Sequence, residues 1–557
     1  MLWELKEIKW LLKRLKPYTL FILLSLAGSV LEAVGTAGVS LLIKSLVDKV
    51  FLLKAQGEVL KLVLSLMGFV LLSQLGNLMV SYFSNLYTEK EMLRLRKEAY
   101  EKFMKVDYSA FLSTPAGEFV SRMLSDMSLY KNLIGSYLVK LLRDPFSVVF
   151  LSAVLIYRDW LLTLSLGFLL PLLALAVKYF SAKRGKHIKR SQESFAELSD
   201  KVFSSFAGFE SIKSFSAEHT FKRFFEEENS RLFRSSLKSS LYFALNSVFN
   251  YTLGYLVVAF VMLYGSYRIL EGSLTPGDFV SYLTALVFLQ NPLVETQKGI
   301  VEVRSSLPVI KRIKELLELP EEKEGKLRLE EALRLVEAKD LSLKIGGKSL
   351  LSGISFTIRR GEKVGIMGET GSGKSTLLKV FAGFLPYKGS LKINGVELRD
   401  IEKRSLRGKV LYLSQEPFVY PGSVRDNLLL AGEDVKEEEI LKALMLARCD
   451  FVKDLEQKVS PKELSGGEKQ RLALARVFLR KDFELLLLDE ATSALDAKTE
   501  REVLENLFEH CKDKTLVVVA HRFSNLLLCD RVLVMEEGNI AFEGKPKEAI
   551  DRFLQSP

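Results

Sequence analysis

The residues best equipped for chemistry lie in Gly368-Glu369-Thr370-Gly371-Ser372-Gly373-Lys374-Ser375, which follows the apolar run Val364 to Met367. Glycines let a backbone curl until consecutive N–H groups point at one place. A helix opening at Lys374 adds the positive end of its dipole, so the segment is suited to cradle phosphate. A strand before and a helix after are the context this spacing requires. Lys374 then reaches the outer phosphates, the Ser375 hydroxyl ligates Mg²⁺, and Thr376 completes the nucleotide-binding set. Further along, Leu485-Leu486-Leu487-Leu488-Asp489-Glu490 sets two acids at the end of an apolar strand. Charge there is costly unless a ligand or metal offsets it. Asp489 suits the metal, and Glu490 suits a base that polarises an attacking water.

A third motif narrows the field. Leu464-Ser465-Gly466-Gly467-Glu468-Lys469-Gln470, just ahead of that acidic strand, resembles the signature of the ATP-binding cassette family. The resemblance implies that Ser465, Gly466 and Gly467 bind the γ-phosphate of ATP held on a partner subunit, so hydrolysis needs two cassettes. It also implies a Q-loop role near the metal for Gln415, a D-loop at Ser493-Ala494-Leu495-Asp496 and a switch histidine at His521. The catalytic set is then Lys374, Glu490 and His521, with ATP and Mg²⁺ as cofactors. Two positions depart from the family pattern. Glu468 replaces the usual Gln, with little consequence expected, since backbone and Ser465 make the phosphate contacts. Ile345 stands where the family stacks an aromatic ring on adenine; this removes about 0.5–1.5 kcal/mol of stacking and predicts weak discrimination among nucleoside triphosphates.

These groups need a scaffold, and 557 residues at 48% hydrophobic content exceed a single core. A mean hydropathy of +0.15 averages a strongly apolar first part with a Lys- and Glu-rich second part. The charged stretch Glu318 to Lys326, with Pro320 and Gly325, reads as a linker at 319–326 between domains at 1–318 and 327–557. In the second domain, strands at Val364 to Met367, Val410 to Leu413, Leu485 to Leu488 and Leu516 to Val519 alternate with helical stretches. That order predicts an α/β P-loop nucleotide-binding domain with a parallel central sheet. Cys449, Cys511 and Cys529 form no CxxC and no Cys/His cluster, and read as buried thiols in a reducing compartment.

A bilayer core about 30 Å thick needs roughly 20 apolar residues in a helix. Six segments qualify, near 18–47, 59–87, 137–157, 159–181, 241–267 and 277–305, which predicts a membrane all-α domain of six transmembrane helices. The two long connections carry Lys90, Arg94, Arg96, Lys97, Lys102 and Lys105, then Lys183, Arg184, Lys186, Lys189 and Arg190. This basic bias places them, both termini and the second domain on the cytoplasmic side. Facing anionic lipid, the same residues account for much of the +11 net charge, so no nucleic-acid partner is expected. Helical periodicity continues through the connections, giving extended intracellular helices. Transverse turns are expected near Tyr108 to Glu118, with breakers Pro115 and Gly117, and near Gly208 to Phe221. The first apolar run is too long for a signal peptide and reads as retained. Ahead of it, Leu5, Ile8, Leu12 and Leu15 alternate with Lys6, Lys9, Lys13 and Lys16 as in a helix lying in the membrane surface.

Six spans ahead of one cassette resemble the exporter half-transporters, such as bacterial lipid A and multidrug exporters, over nearly the whole chain. The resemblance implies a homodimer, or else a heterodimer, in the bacterial inner membrane. Its substrate would be lipid-like or amphipathic, moved outward from the inner leaflet or cytoplasm among membrane lipids. Glu32, Arg143, Asn291 and Glu295 lie at membrane depth and are candidate substrate contacts. Arg143 and Lys178 suit a lipid phosphate near the inner leaflet, which Glu32 and Glu295 would repel. A drug or peptide exporter is the alternative within transport. An ATP-gated channel or regulatory subunit is the alternative outside it, and intact Glu490, Ser465 and His521 argue against that.

Overall fold

The described residues of the apolar spans in the first part are helical. The structure, a computed structural model, describes residues 2–114, 116–167, 170–432, 434–520 and 522–555, so Pro115 falls outside it. The helices are Thr19–Ser45, Val59–Met104, Leu138–Arg158, Trp160–Gly167, Leu170–Ala207, Glu218–Leu270 and Pro276–Leu317. Among the described residues, three helical stretches are long and apolar enough to cross a membrane: Lys6–Leu52, Gln56–Met104 and Glu218–Leu270. Leu138–Arg158 and Pro276–Leu317 are helical where expected, but Lys140, Arg143 and Asp144 interrupt the apolar run of one, and Asp278, Glu295 and Lys298 that of the other. The span expected at 159–181 is divided between Trp160–Gly167 and Leu170–Ala207, with 168 and 169 outside the described residues. Glu218–Leu270 has 53 residues, which at 1.5 Å per residue gives about 80 Å, far more than a bilayer core requires.

Small residues let two of these helices touch backbone to backbone. A Cβ on Gly76 would sit 2.4 Å from the Glu32 nitrogen and 2.5 Å from the Gly28 oxygen, so a side chain there would separate Val59–Met104 from Thr19–Ser45. The amino-terminal helix Leu2–Leu15 turns Leu11 and Leu15 inward. Its Arg14 pairs with Glu91 at 2.6 Å and Glu98 at 2.8 Å, whereas Ile8 and Leu12 stay exposed. The stripe expected on one face is therefore split between protein and surroundings. Both transverse turns are short helices: Tyr108–Ser113, where the Asp107 carboxylate accepts from the Ser109 and Ala110 N–H groups, and Phe209–Ser214.

By its contacts the chain forms two compact units, Met1–Ala99 with Val120–Leu317, and Tyr100–Phe119 with Glu318–Pro557. The first connection thus contributes Tyr100–Phe119 to the unit that holds the chemistry. The charged stretch after Leu317 is fixed within that unit. Pro320 O accepts from Asp107 N at 2.9 Å, Glu322 N donates to Lys105 O at 2.8 Å, and Glu321 and Glu322 pair with Lys102 and Arg407. Glu321 and Glu322 thus have specific partners, which composition could not reveal.

Among its described residues the second unit contains twelve strands: β1 Leu335–Ile345, β2 Lys348–Arg359, β3 Lys363–Gly368, β4 Lys388–Ile393, β5 Val396–Glu397, β6 Val410–Leu413, β7 Gly422–Ser423, β8 Lys458–Val459, β9 Leu485–Asp489, β10 Thr515–Val519, β11 Arg531–Glu536 and β12 Asn539–Gly544. The main sheet runs β12-β11-β3-β10-β9-β6, parallel except for β12, and an antiparallel sheet runs β2-β1-β4-β5. Every residue of β3, β9 and β10 is buried, as expected of parallel strands covered on both faces. Alternate side chains feed two cores. Leu485, Leu487 and Val517 join the antiparallel sheet and helix Lys374–Phe381, while Leu486, Leu488, Leu516 and Val518 join helices Gly466–Leu479 and Ala497–His510. Val519 pairs with both Ile366 and Asp489, and Leu413 with Leu488. That register delivers the carboxyl ends of β3, β6, β9 and β10 to one edge of the sheet, where parallel α/β sheets bind ligands.

Candidate functional site

At that edge the chain after β3 turns sharply into helix Lys374–Phe381. Gly368, Gly371 and Gly373 have φ of 151°, 88° and 99°. A Cβ on Gly368 would lie 2.2 Å from the Met535 oxygen, so the first glycine is required by contact as well as by conformation. No side chain caps the following helix, which leaves its first amides directed at the loop. The Ser372 hydroxyl is buried with no hydrogen-bond partner among the described residues. The Lys374 ammonium donates to the carbonyls of Gly368 and Glu369, both at 2.8 Å, so it lies folded over its own loop. Burial pulls its pKa below the ordinary lysine value, and Glu490 and Asp489 oppose that pull. Orphan donors, a cation and a bare backbone together fit a polyphosphate.

Across from the loop, Asp489 is only 3% exposed. One carboxylate oxygen accepts from the Ser375 hydroxyl at 2.8 Å and the other from the Tyr412 hydroxyl at 2.9 Å. Next to it Glu490 has a left-handed φ of 51°, and its carboxylate accepts from the Gln415 amide at 2.8 Å. The Ser375 hydroxyl, the Asp489 carboxylate and the Gln415 amide oxygen are the hard donors that Mg²⁺ prefers, so these residues fit that ion. The structure therefore brings together Gly368 to Thr376, Gln415, Asp489 and Glu490. His521 follows β10 in sequence but lies outside the described residues.

The signature residues make a separate cluster. Gly466 and Gly467 pack on Ala494, where a Cβ would meet its side chain at 3.3 Å and its oxygen at 3.0 Å respectively. Asp496 caps helix Ala497–His510 by accepting from the Lys498 and Thr499 N–H groups. Ser465 and Glu468 form a capping box, in which the Glu468 carboxylate accepts from both the Ser465 N–H and its hydroxyl at 2.8 Å. Those bonds to Ser465 hold the Glu468 pKa below the usual carboxylate range. The unusual Glu468 thus places a charge on the serine hydroxyl that the sequence reading assigns to phosphate.

Two residues that sequence reasoning passed over connect these groups. Gln470, buried at the end of the signature, accepts from Ala494 N at 2.9 Å and donates to Gln415 O at 3.3 Å and the Ser493 hydroxyl at 3.4 Å. Tyr412, two residues inside β6, ends on Asp489. Gln470 carried a weak signal as an amide beside the motif. Tyr412 carried none, because a tyrosine in a strand reads as core.

In the first unit the candidate substrate contacts are mostly engaged. Arg143 donates to Asp144 at 2.9 Å and lies 3.9 Å from Glu32. Glu295 accepts from Lys140 at 2.5 Å and Lys298 at 2.7 Å. Asn291 is exposed.

Phosphate loop, acidic strand and signature helix define a nucleotide-driven ATPase, and sequence comparison gives its family. Residues 22–293 match the family description "ABC transporter transmembrane region" and residues 351–493 match "ABC transporter". The chain belongs to the ABC transporters as an exporter half-transporter: an ATPase coupled to transport, in a membrane protein with a cytoplasmic ATPase domain and an arrangement that implies dimerisation. It is similar to the ATP-dependent lipid A-core flippase of Desulfotalea psychrophila, 29% identical over 566 residues, covering 98% of this chain and 97% of that one. The flippase of the same name from Syntrophus aciditrophicus is 29% identical over 563 residues, covering 98% and 92%. A Bacillus subtilis protein named as a multidrug export ATP-binding/permease protein is 28% identical over 483 residues, covering 84% and 83%.

Proposed function

We propose that this chain is a homodimeric, ATP-hydrolysing flippase or exporter of the bacterial inner membrane, with both termini cytoplasmic. Its substrate is a lipid-like or amphipathic molecule moved outward from the inner leaflet or cytoplasm. The observation that carries this reading is the meeting of phosphate loop, Asp489 and Glu490 at one sheet edge, in a chain whose other part is a transporter membrane region. Relatives named as lipid A-core flippases over nearly their full length support the lipid.

On this reading the loop amides and Lys374 bind the β- and γ-phosphates, for which Lys374 exchanges its carbonyl partners. Ser375, Asp489 and Gln415 hold Mg²⁺, which supplies neutralisation of charge on the phosphate oxygens. Glu490 accepts a proton from the attacking water, and Gln415 orients its carboxylate. His521 contacts the γ-phosphate as switch residue. Ser465, Gly466 and Gly467 serve the site of the other copy, which is why two chains close on two nucleotides, and Asp496 belongs to the same nucleotide-binding set. In vesicles with labelled lipid, wild type should show ATP-dependent leaflet exchange and Glu490→Gln should lose it, with hydrolysis down about 10²–10⁴-fold. Equal exchange in both removes active transport.

A second reading, a multidrug exporter, is favoured by the charge balance around Arg143. Glu32, Asp144 and Glu295 face Lys140, Arg143 and Lys298, so this group carries no surplus of positive charge for an anionic head group. Uptake of a cationic dye into inverted vesicles, measured against labelled-lipid exchange, separates the two.

A further inference from the structure

We propose that Tyr412 is a positioning residue for Asp489, and that Tyr108 of the first connection sets Tyr412 through Phe384. The proposal rests on the reading of Asp489 as the metal carboxylate. Asp489 ends an apolar strand and is almost wholly buried, so its charge depends on few donors. Ser375 and Tyr412 supply one hydroxyl to each oxygen. The Ser375 hydroxyl would offer a lone pair to the metal when the site is loaded and still donate its proton to Asp489, so that donor would be tied to the metal. The phenol is not a ligand and keeps its oxygen in both conditions, so it fixes the plane in which Asp489 presents its other oxygen.

The phenol is itself held from behind. The Tyr412 ring meets Phe384 edge-on, with centroids 5.7 Å apart, and Phe384 meets Tyr108 at 5.2 Å. All three rings pack against the same core, between the antiparallel sheet and helix Lys374–Phe381. Both separations suit aromatic pairs, whose geometry is directional. Tyr108 opens the capped helix Tyr108–Ser113, inside the segment Tyr100–Phe119 that the first connection contributes to this unit. A shift of that helix changes the rotamers open to Phe384, then to Tyr412, and so the hydrogen bond on Asp489. Sequence gives no hint of the path, since its members are hundreds of residues apart at one step and 28 at the other, from Phe384 to Tyr412.

The test is equilibrium binding of a fluorescent ATP analogue to full-length protein carrying Glu490→Gln, with Mg²⁺ titrated. Tyr412→Phe keeps the ring and removes the donor. It should raise the half-saturating Mg²⁺ about ten- to a hundredfold, the usual cost of losing an outer-shell partner, and leave Mg²⁺-free nucleotide binding unchanged. Tyr108→Leu should move it the same way by about threefold, a loss on the scale of one aromatic pair, and Tyr108→Phe should restore it. A Mg²⁺ midpoint within about twofold of the parent in Tyr412→Phe, or an equal loss of Mg²⁺-free binding, overturns the proposal. Should Tyr412→Phe not fold, the Tyr108 pair decides: equal midpoints in Leu and Phe variants overturn it. If the Glu490→Gln parent itself shows no Mg²⁺-dependent nucleotide binding, the functional reading fails rather than this one.

Discussion

The phosphate loop and the charge group around Arg143 are both concentrations of polar residues beside apolar structure, but they hold their charges differently. In the loop, Lys374 rests on backbone carbonyls and the Ser372 hydroxyl has no described partner, so the local cation and donors are poised for something brought from outside. Around Arg143 each cation already has a carboxylate from a neighbouring residue or helix. A ligand at the loop completes an arrangement, whereas a ligand at Arg143 must compete with one. Engagement by the protein's own side chains is therefore the property that separates a binding site from a brace.

The sharpest way to break this comparison is to remove one member of the brace. Asp144 is 2% exposed, and one of its oxygens already lacks a hydrogen bond among the described residues. Arg143→Ala should destabilise the protein by about 3–5 kcal/mol, read as thermal unfolding in detergent, because a buried carboxylate loses its cation. Replacing the pair together, Arg143→Met with Asp144→Leu, should recover most of that loss. If Arg143→Ala is stable and lowers only substrate affinity, Arg143 is a ligand contact after all.

At the loop the corresponding break is steric. Gly368→Ala drives a methyl into the Met535 oxygen at 2.2 Å and should lower ATPase kcat/KM at least about a hundredfold by displacing the loop. Gly371 has a φ of 88° but nothing near its Cβ position, so Gly371→Ala should cost only about 1 kcal/mol of stability. Equal effects of the two would show that conformation, not contact with β11, governs the loop.

What the sequence disclosed follows the same division. The loop, the acidic strand and the order of β3, β6, β9 and β10 are local patterns, because a glycine requirement or an apolar strand is satisfied within a few residues. Tyr412 on Asp489 arises from the pairing of β6 with β9, and Gln470 between two loops from the packing of the signature helix, and neither is fixed within a few residues of sequence. The partners of the stretch after Leu317 were hidden for the opposite reason: Pro, Gly and alternating charge give no periodicity, yet Glu321, Glu322 and Glu324 each find a fixed partner in Lys102, Arg407 and the Lys403 N–H. The antiparallel strands β1, β2, β4 and β5 were hidden as well, since bulges break the alternation in β1.

A smaller effect is expected at Ile345, the last residue of β1, where the side chain is 41% exposed beside Gly346 and Gly347. An aromatic there has room to lie against a base without displacing core. Ile345→Tyr should tighten ATP binding by about 0.5–1.5 kcal/mol, two- to tenfold, and raise the ATP over GTP preference in competition assays. No change in either measure would mean that the base is held elsewhere, and the absent ring would lose its significance.

The smallest effect comes from the thiols, and it reports on one region alone, because all three cysteines lie in the cassette. Burial pushes Cys449 and Cys529 up to about 12 and Cys511 up to about 11. An unfolded thiol ionises near about 8.5. Above that pH the unfolded chain releases protons that the folded chain keeps, so their contribution is complete below it and falls as pH rises toward 11 to 12. Cassette unfolding in urea should therefore show no thiol-dependent loss between pH 7 and the onset of thiol ionisation, and a progressive one above it that Cys→Ala variants blunt. Maleimide labelling at neutral pH should follow cassette opening and not thiol chemistry. Rapid labelling of the folded protein at neutral pH would place a cysteine at the surface and remove both expectations.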